Sequence, residues 1–223
     1  MSAAGPSAPT IALDGLAAAL AGRGHAVLAP AEFARFAGTR VAELDALRSS
    51  WDDLPLDAHL RDGGRYRRRR HASFVVEGTE LRLVPQRAHW QPVEYNALHG
   101  GLERWFEPIE AGVVAAPAWR GVIMAFASIA TRLKGVRPWY VEAHQFRIDT
   151  TDGIGRPTPE GAHRDGVDFV AVVLVGREGI KGGETRVFAA DGPEGQRFTM
   201  LEPWTTLVLT YRAGSFQGPG ASG

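Results

Sequence analysis

The sequence predicts a mainly β fold with flanking helices, of the sandwich or barrel type. Three observations carry this. After Pro138 the chain runs through short strand-like segments, Trp139–Ile148, Phe169–Val175, Glu184–Phe188, Phe198–Met200 and Thr205–Thr210, joined by glycine-containing connections. Residues 11–50 and 117–134 place apolar side chains at helical spacing instead. The order of these segments does not alternate as βαβ units would.

Element by element, Met1–Thr10 is small and proline-containing and reads as a flexible tail. Ile11, Leu13, Leu16 and Leu20 share one helical face, with Asp14 near its start. Gly22 and Gly24 end that helix, Ala26-Val27-Leu28 is a short strand, and Phe33, Phe36, Val41, Leu44 and Leu47 resume helical spacing. Phe74-Val75-Val76 and Leu81–Val84 are strands around the turn Glu77-Gly78-Thr79. Helices are expected over 97–109 and 117–134. The second starts near Pro117 and carries the stripe Val122, Ile123, Phe126, Ile129, Leu133. Gly214–Gly223 is glycine-rich and lacks periodicity where a further pairing strand is expected, so the sheet reads as cut short. The division is a tail over 1–10, one domain over 11–210 and a glycine-rich tail over 211–223.

Composition narrows the function. The chain has 223 residues, 44% hydrophobic and 22% charged, enough for a real core. Lysine plus arginine and aspartate plus glutamate both number 25, so no global charge points to nucleic acid or an anionic membrane. Cysteine is absent, which excludes disulfides, zinc ribbons, iron–sulfur clusters and thiol catalysis; a metal site must use His, Asp or Glu. No apolar run reaches the roughly 18 residues of a membrane span. The N-terminus lacks the charged and apolar regions of a signal peptide, and the cytoplasm is the expected location.

The chemistry concentrates in Thr158–Val170. His163 and Asp165 are one residue apart, and in an extended segment such residues project to the same side. An imidazole and a carboxylate then approach one ion together. Two histidines and one carboxylate on one face, with positions left open, is the arrangement of non-haem iron(II) oxygenases. Taken alone, the pair reads first as a surface His–Asp pair in a glycine-rich loop. Its context, Pro159 and Gly161 before, Gly166 after and the strand from Phe169 next, is that of a loop entering a barrel strand.

Further segments extend the pattern. Arg61-Asp62-Gly63-Gly64-Arg65-Tyr66 with Arg67–Arg70, then Gln86, Tyr95-Asn96, Gly100-Gly101 and Arg104-Trp105-Phe106, then Pro157–Asp168 and Gly182-Gly183-Glu184 together resemble the 2-oxoglutarate/iron(II) dioxygenase family that contains bacterial L-isoleucine hydroxylases. The resemblance runs from about residue 15 to about residue 209, and the stretch around His163 is its most specific part. It implies a double-stranded β-helix (jelly-roll) core. It also implies iron(II) on His163, Asp165 and a distal histidine, 2-oxoglutarate as co-substrate held by an arginine, dioxygen, and a free aliphatic L-amino acid as substrate.

The resemblance fails at one place. The seven histidines are His25, His59, His71, His89, His99, His144 and His163, and none follows His163. Where the family places its distal histidine and arginine, this sequence has Tyr211-Arg212-Ala213-Gly214. The expectations are therefore an impaired enzyme, a site completed by His144 or His89 from another strand, or a non-catalytic jelly-roll relative that binds a small ligand. Gln86, Tyr95, Asn96 and Arg147 are candidate substrate or co-substrate contacts, or else loop support and surface. Glu184 is a candidate support of the His163 loop, or a plain turn residue. In Arg67–Arg70, a strand would turn alternate side chains to opposite faces, so at most half could meet a ligand carboxylate; a solvated strand is the plainer alternative. Trp139 and Trp204 are expected in the core.

Overall fold

Nine strands and five α-helices form the computed structural model, which describes residues 6–60, 63–90, 101–150, 166–180, 182–188 and 195–210. The helices are α1 (Leu16–Arg23), α2 (Pro30–Phe36), α3 (Val41–Asp45), α4 (Ala111–Val114) and α5 (Pro117–Lys134). The strands are β1 (Thr10–Ile11), β2 (His25–Leu28), β3 (Arg67–Glu77), β4 (Glu80–Leu83), β5 (Trp139–Ile148), β6 (Phe169–Val173), β7 (Thr185–Phe188), β8 (Gly195–Phe198) and β9 (Thr206–Thr210). Pro117 opens α5, where a missing N–H costs nothing, and Gly135 follows its last turn beside Arg132 and Lys134. Among the described residues no helix is long and apolar enough to cross a membrane.

The strands make three sheets: β1-β2-β9-β6, β4-β3-β5 and the hairpin β7-β8. Apart from the parallel β1–β2 pair, every ladder is antiparallel. One face of the first sheet, Val27, Leu207 and Leu209, packs against Val187, Phe198 and Met200 from the β7-β8 side, giving the sandwich of the jelly-roll core. The opposite face, Ala26, Leu28 and Val208, joins Phe74, Val76 and Trp139 of the β4-β3-β5 sheet under the helices, where Trp119, Ile123 and Ile129 of α5 fill the layer. Trp204 is buried in the same layer and donates its indole N–H to Asp45 at 2.7 Å. Gly121 of α5 lies so close to the end of α2 that a Cβ there would collide with the Ala37 carbonyl oxygen.

Two expectations need correction. Over 101–109, the described part of the helix expected at 97–109, no helix forms: Arg104 bridges to His89 and Pro108 to His71. The backbone N–H groups of His71 and Arg104 are satisfied across these contacts, by the carbonyls of Glu107 and His89, and no helical ladder is needed. The strand expected at Phe198–Met200 instead begins at Gly195 and ends at Phe198.

Candidate functional site

The β3–β5 ladder sets residues opposite one another: Arg69 faces Phe146, His71 faces His144 and Ser73 faces Glu142. Strand alternation puts Arg67, Arg69, His71 and Ser73 with Glu142, His144 and Phe146 on one side, away from the helix layer. The segments carrying His89 and Arg104–Pro108 lie over this side through their bridges to each other and to His71. Beside it is a cleft lined by His71, Ser73, Gln86, Arg87 and Pro108.

His71, His89, Glu142 and His144 converge here, with one potential ligand atom from each lying within 4.8 Å of the others. The His71 and His144 rings stack at 4.6 Å, as direct cross-strand partners can, and the His89 ring meets His144 edge-on at 4.9 Å. His89 Nδ1 donates to Glu142 Oε2 at 2.8 Å. His71 Nε2 lies 3.8 Å from Glu142 Oε1, and His144 Nε2 4.0 Å from Glu142 Oε2.

Burial sets the protonation. It pushes the His71 imidazole down to about 4, the Glu142 carboxylate opposing the shift without overcoming it. Burial and then the neighbouring Arg69 charge hold His144 well below the usual histidine range. For Glu142 burial pushes upward, but the hydrogen bond from His89 and the surrounding positive groups together leave it below the ordinary carboxylate value. At neutral pH the cluster is therefore two neutral imidazoles, His71 and His144, with His89 bonded to an ionised carboxylate.

Arg69 closes one end. It is 5% exposed, donates Nη2–H to His144 Nδ1 at 2.8 Å and lies between the rings of Phe106 and Phe146, 3.9 and 4.5 Å from their centres. Burial, and then repulsion from Arg67, pushes it down to about 9. Arg67 next to it is paired with buried Asp57 at 2.7 Å. The sequence left Arg67–Arg70 open between a solvated strand and a ligand contact; Arg67 and Arg69 are buried, on one face, as the alternation requires.

The donor set suits iron(II): imidazoles and one carboxylate, from which His71, His89 and Glu142 could hold the ion. The hydrogen bonds separate the histidines. His89 donates from Nδ1 to a carboxylate, which leaves its Nε2 lone pair free for a metal. His144 accepts at Nδ1 from Arg69, so its Nε2 carries the proton and cannot ligate in that tautomer.

His163, Asp165, Tyr95 and Asn96 lie outside the described residues. Gln86 donates to the Phe106 carbonyl at 2.6 Å and lines the cleft. Arg147 is on the side of β5 opposite His144 and donates to the Asp52 carbonyl at 2.8 Å. Glu184 accepts from Arg186 at 2.8 Å and Arg197 at 3.1 Å, which hold its carboxyl below the ordinary value. Sequence reasoning missed His71 and Glu142 as members of a cluster. The signal was there: Glu142-Ala143-His144 repeats in a strand the acid–imidazole spacing of His163 and Asp165.

The chain is similar to several known proteins. A crystal structure of a bsmA homolog from Methylobium petroleophilum PM1 superposes with a TM-score of 0.88 at 46% identity, covering 95% of this chain and 85% of that one. IDO from Bacillus thuringiensis gives 0.73 at 16% identity over 99% and 89% of the two chains. The Fe(II)/α-ketoglutarate-dependent dioxygenase TqaL gives 0.68 at 16% identity over 93% and 78%. These two likenesses speak to the fold alone. No curated protein sequence matches. The family model for the 2OG-Fe dioxygenases matches residues 48–213, well over half of the chain. With that match, the jelly-roll fold and a cluster whose donors suit iron, the chain belongs to the 2OG-Fe dioxygenase family, enzymes that use iron(II) and 2-oxoglutarate.

Proposed function

We propose that this dioxygenase hydroxylates a free aliphatic L-amino acid, as the isoleucine-hydroxylase resemblance of its sequence implies. The observation that carries the reading is the polar inner side of β3 and β5, where a buried guanidinium, an ionised carboxylate and neutral imidazoles converge. A free amino acid presents the complementary charges on one carbon. Iron is assigned to His163 and Asp165, with His89 as the third protein ligand because its bond to Glu142 sets the ligating tautomer.

When bound, the metal supplies the activation of dioxygen. Overall, 2-oxoglutarate is oxidised to succinate and carbon dioxide, one oxygen atom entering succinate and the other a substrate C–H bond. The protein's part is to orient and to exclude water. Buried Phe106 walls the site beside the more exposed Phe146, and burial keeps His71 and His144 uncharged, so neither competes for Glu142 as a cation. The same reading takes residues 11–210 as one domain between tails at 1–10 and 211–223, acting in the cytoplasm on a small molecule.

The test is succinate formation with iron(II), 2-oxoglutarate and a panel of aliphatic L-amino acids under labelled dioxygen. Amino-acid-dependent succinate, matched one to one by a product carrying one labelled oxygen, is expected. Succinate formation that no amino acid stimulates would remove the substrate assignment.

A further inference from the structure

Arg69 is the least explained charge among the described residues. Its neighbour two positions away, Arg67, has a buried carboxylate at 2.7 Å, whereas Arg69 forms no ion pair with another described residue; each keeps one buried guanidinium nitrogen without a hydrogen-bond partner. Asp57 and Glu142 act on Arg69 only from a distance, and a buried cation without a directly paired carboxylate is costly. The guanidinium is nonetheless held rigidly, between two phenyl rings and against His144 Nδ1. A planar fork fixed in this way is preorganised for a carboxylate.

The second charge completes the picture. Glu142 reaches the other nitrogen of the same ring, His144 Nε2, at 4.0 Å, and is close enough for its charge to act on Arg69. His89 fixes one of its oxygens at 2.8 Å, and a carboxylate has lone pairs for further donors. The two ends of the site thus carry opposite charges across one imidazole, with the Phe146 and Phe106 rings between strand and covering segment.

We infer that Arg69 and Glu142 are the receptor for an α-amino acid, Arg69 taking its carboxylate and Glu142 its ammonium. This rests on the amino-acid reading above and names the residues that would select it. Glu142 is thereby given to the ligand, and His89 remains for the metal, as proposed above. A carboxylate could also come from 2-oxoglutarate, which has no ammonium, so the test separates the two.

The experiment is calorimetric titration of the full chain with iron(II) under nitrogen, where no turnover occurs. The ligands are L-isoleucine, 3-methylpentanoate (no amine), 2-methylbutylamine (no carboxylate), each added with 2-oxoglutarate present, and 2-oxoglutarate alone. Charge-assisted hydrogen bonds are worth about 1.5–3 kcal/mol, so Arg69→Met should weaken L-isoleucine and 3-methylpentanoate about 10–100-fold. The amine and 2-oxoglutarate should be unaffected. Glu142→Gln should weaken L-isoleucine and the amine about tenfold and spare 3-methylpentanoate. Arg69→Met should also unfold at a higher temperature than the parent without ligand, while losing carboxylate affinity, a combination a merely structural arginine does not give. If Arg69→Met does not fold, Arg69→Lys serves: it keeps the charge, lacks the fork, and should weaken both carboxylates about tenfold.

Unchanged carboxylate affinities in Arg69→Met, or no binding of any of the three by the parent, would overturn the inference. So would a loss confined to 2-oxoglutarate, which would make Arg69 a co-substrate anchor. Turnover separates this inference from the proposed function. Arg69-dependent binding without succinate would leave the receptor standing and remove the reaction. Turnover of L-isoleucine by Arg69→Met at an unchanged KM would do the reverse.

Discussion

The two sides of the β3–β5 ladder are made by alternate residues of the same two strands, yet they are built for opposite ends. One side presents Ala72, Phe74 and Val76 with Trp139 and Ala143 to the helix layer. The other presents Arg67, Arg69, His71 and Ser73 with Glu142, His144 and Phe146. Both are buried along much of β3, so burial alone does not distinguish core from site. What distinguishes them is buried charge and titratable groups. Unpaired buried polar atoms occur on both, such as Gln145 Oε1 and Arg69 Nε, but only the polar side gathers a buried guanidinium with imidazoles whose protonation burial resists. Buried groups left in such a state mark the place where a ligand is expected.

The contrast can be broken from either side. The largest effects should come from the groups that hold the fold. Phe74→Ala empties the centre of the helix layer and should cost about 3–5 kcal/mol in denaturant unfolding. Asp57→Ala leaves Arg67 buried without its counter-charge and should cost a similar amount, on the order of 3–5 kcal/mol. A cost below about 1 kcal/mol for either would mean that the region is loosely packed.

Next comes pH. Unfolded His71 takes up a proton near its ordinary pKa of 6.5, whereas the folded protein resists it until about 4. The unfolded chain thus binds more protons in that window, and stability falls as pH drops through it, on the order of 3 kcal/mol from His71 alone. His144 adds loss of the same sign. Below about 4, His71 contributes no further change. His71→Phe should flatten the stability profile between pH 6.5 and 4, whereas Phe74→Leu, on the apolar side, should shift the whole profile without changing its slope. The smallest effect should be Thr131→Val, which removes the acceptor of the Trp139 indole N–H at 2.7 Å and should cost about 1 kcal/mol.

Much of this was legible in the sequence where one physical rule dominates. Helix α5 and strand β5 fall at their expected limits because Pro117, Gly135 and Pro138 punctuate strong apolar periodicity. The 101–109 stretch was misread because its apolar spacing fits a helix, while its backbone is satisfied by residues such as His71 that lie far away in sequence. His89 was legible only as an alternative ligand, since nothing local links it to Glu142, 53 residues on. Arg69 was visible as one of four arginines; which of them would be buried and which paired depends on Asp57, Phe106 and Phe146, which only the fold brings together.

The central claim is the proposal that His163 and Asp165 hold the iron. Calorimetric titration with manganese(II), as a redox-stable stand-in for iron(II), tests it most directly. The parent should bind one ion per chain. His163→Ala and Asp165→Ala should each weaken binding at least about 10–100-fold, since losses even around the ligands have that effect. His89→Ala should follow them, and Arg69→Met should bind the ion as the parent does. Parent-like affinity in both His163→Ala and Asp165→Ala, with binding lost instead in His71→Ala, would place the metal in the β3–β5 cluster itself and contradict the account.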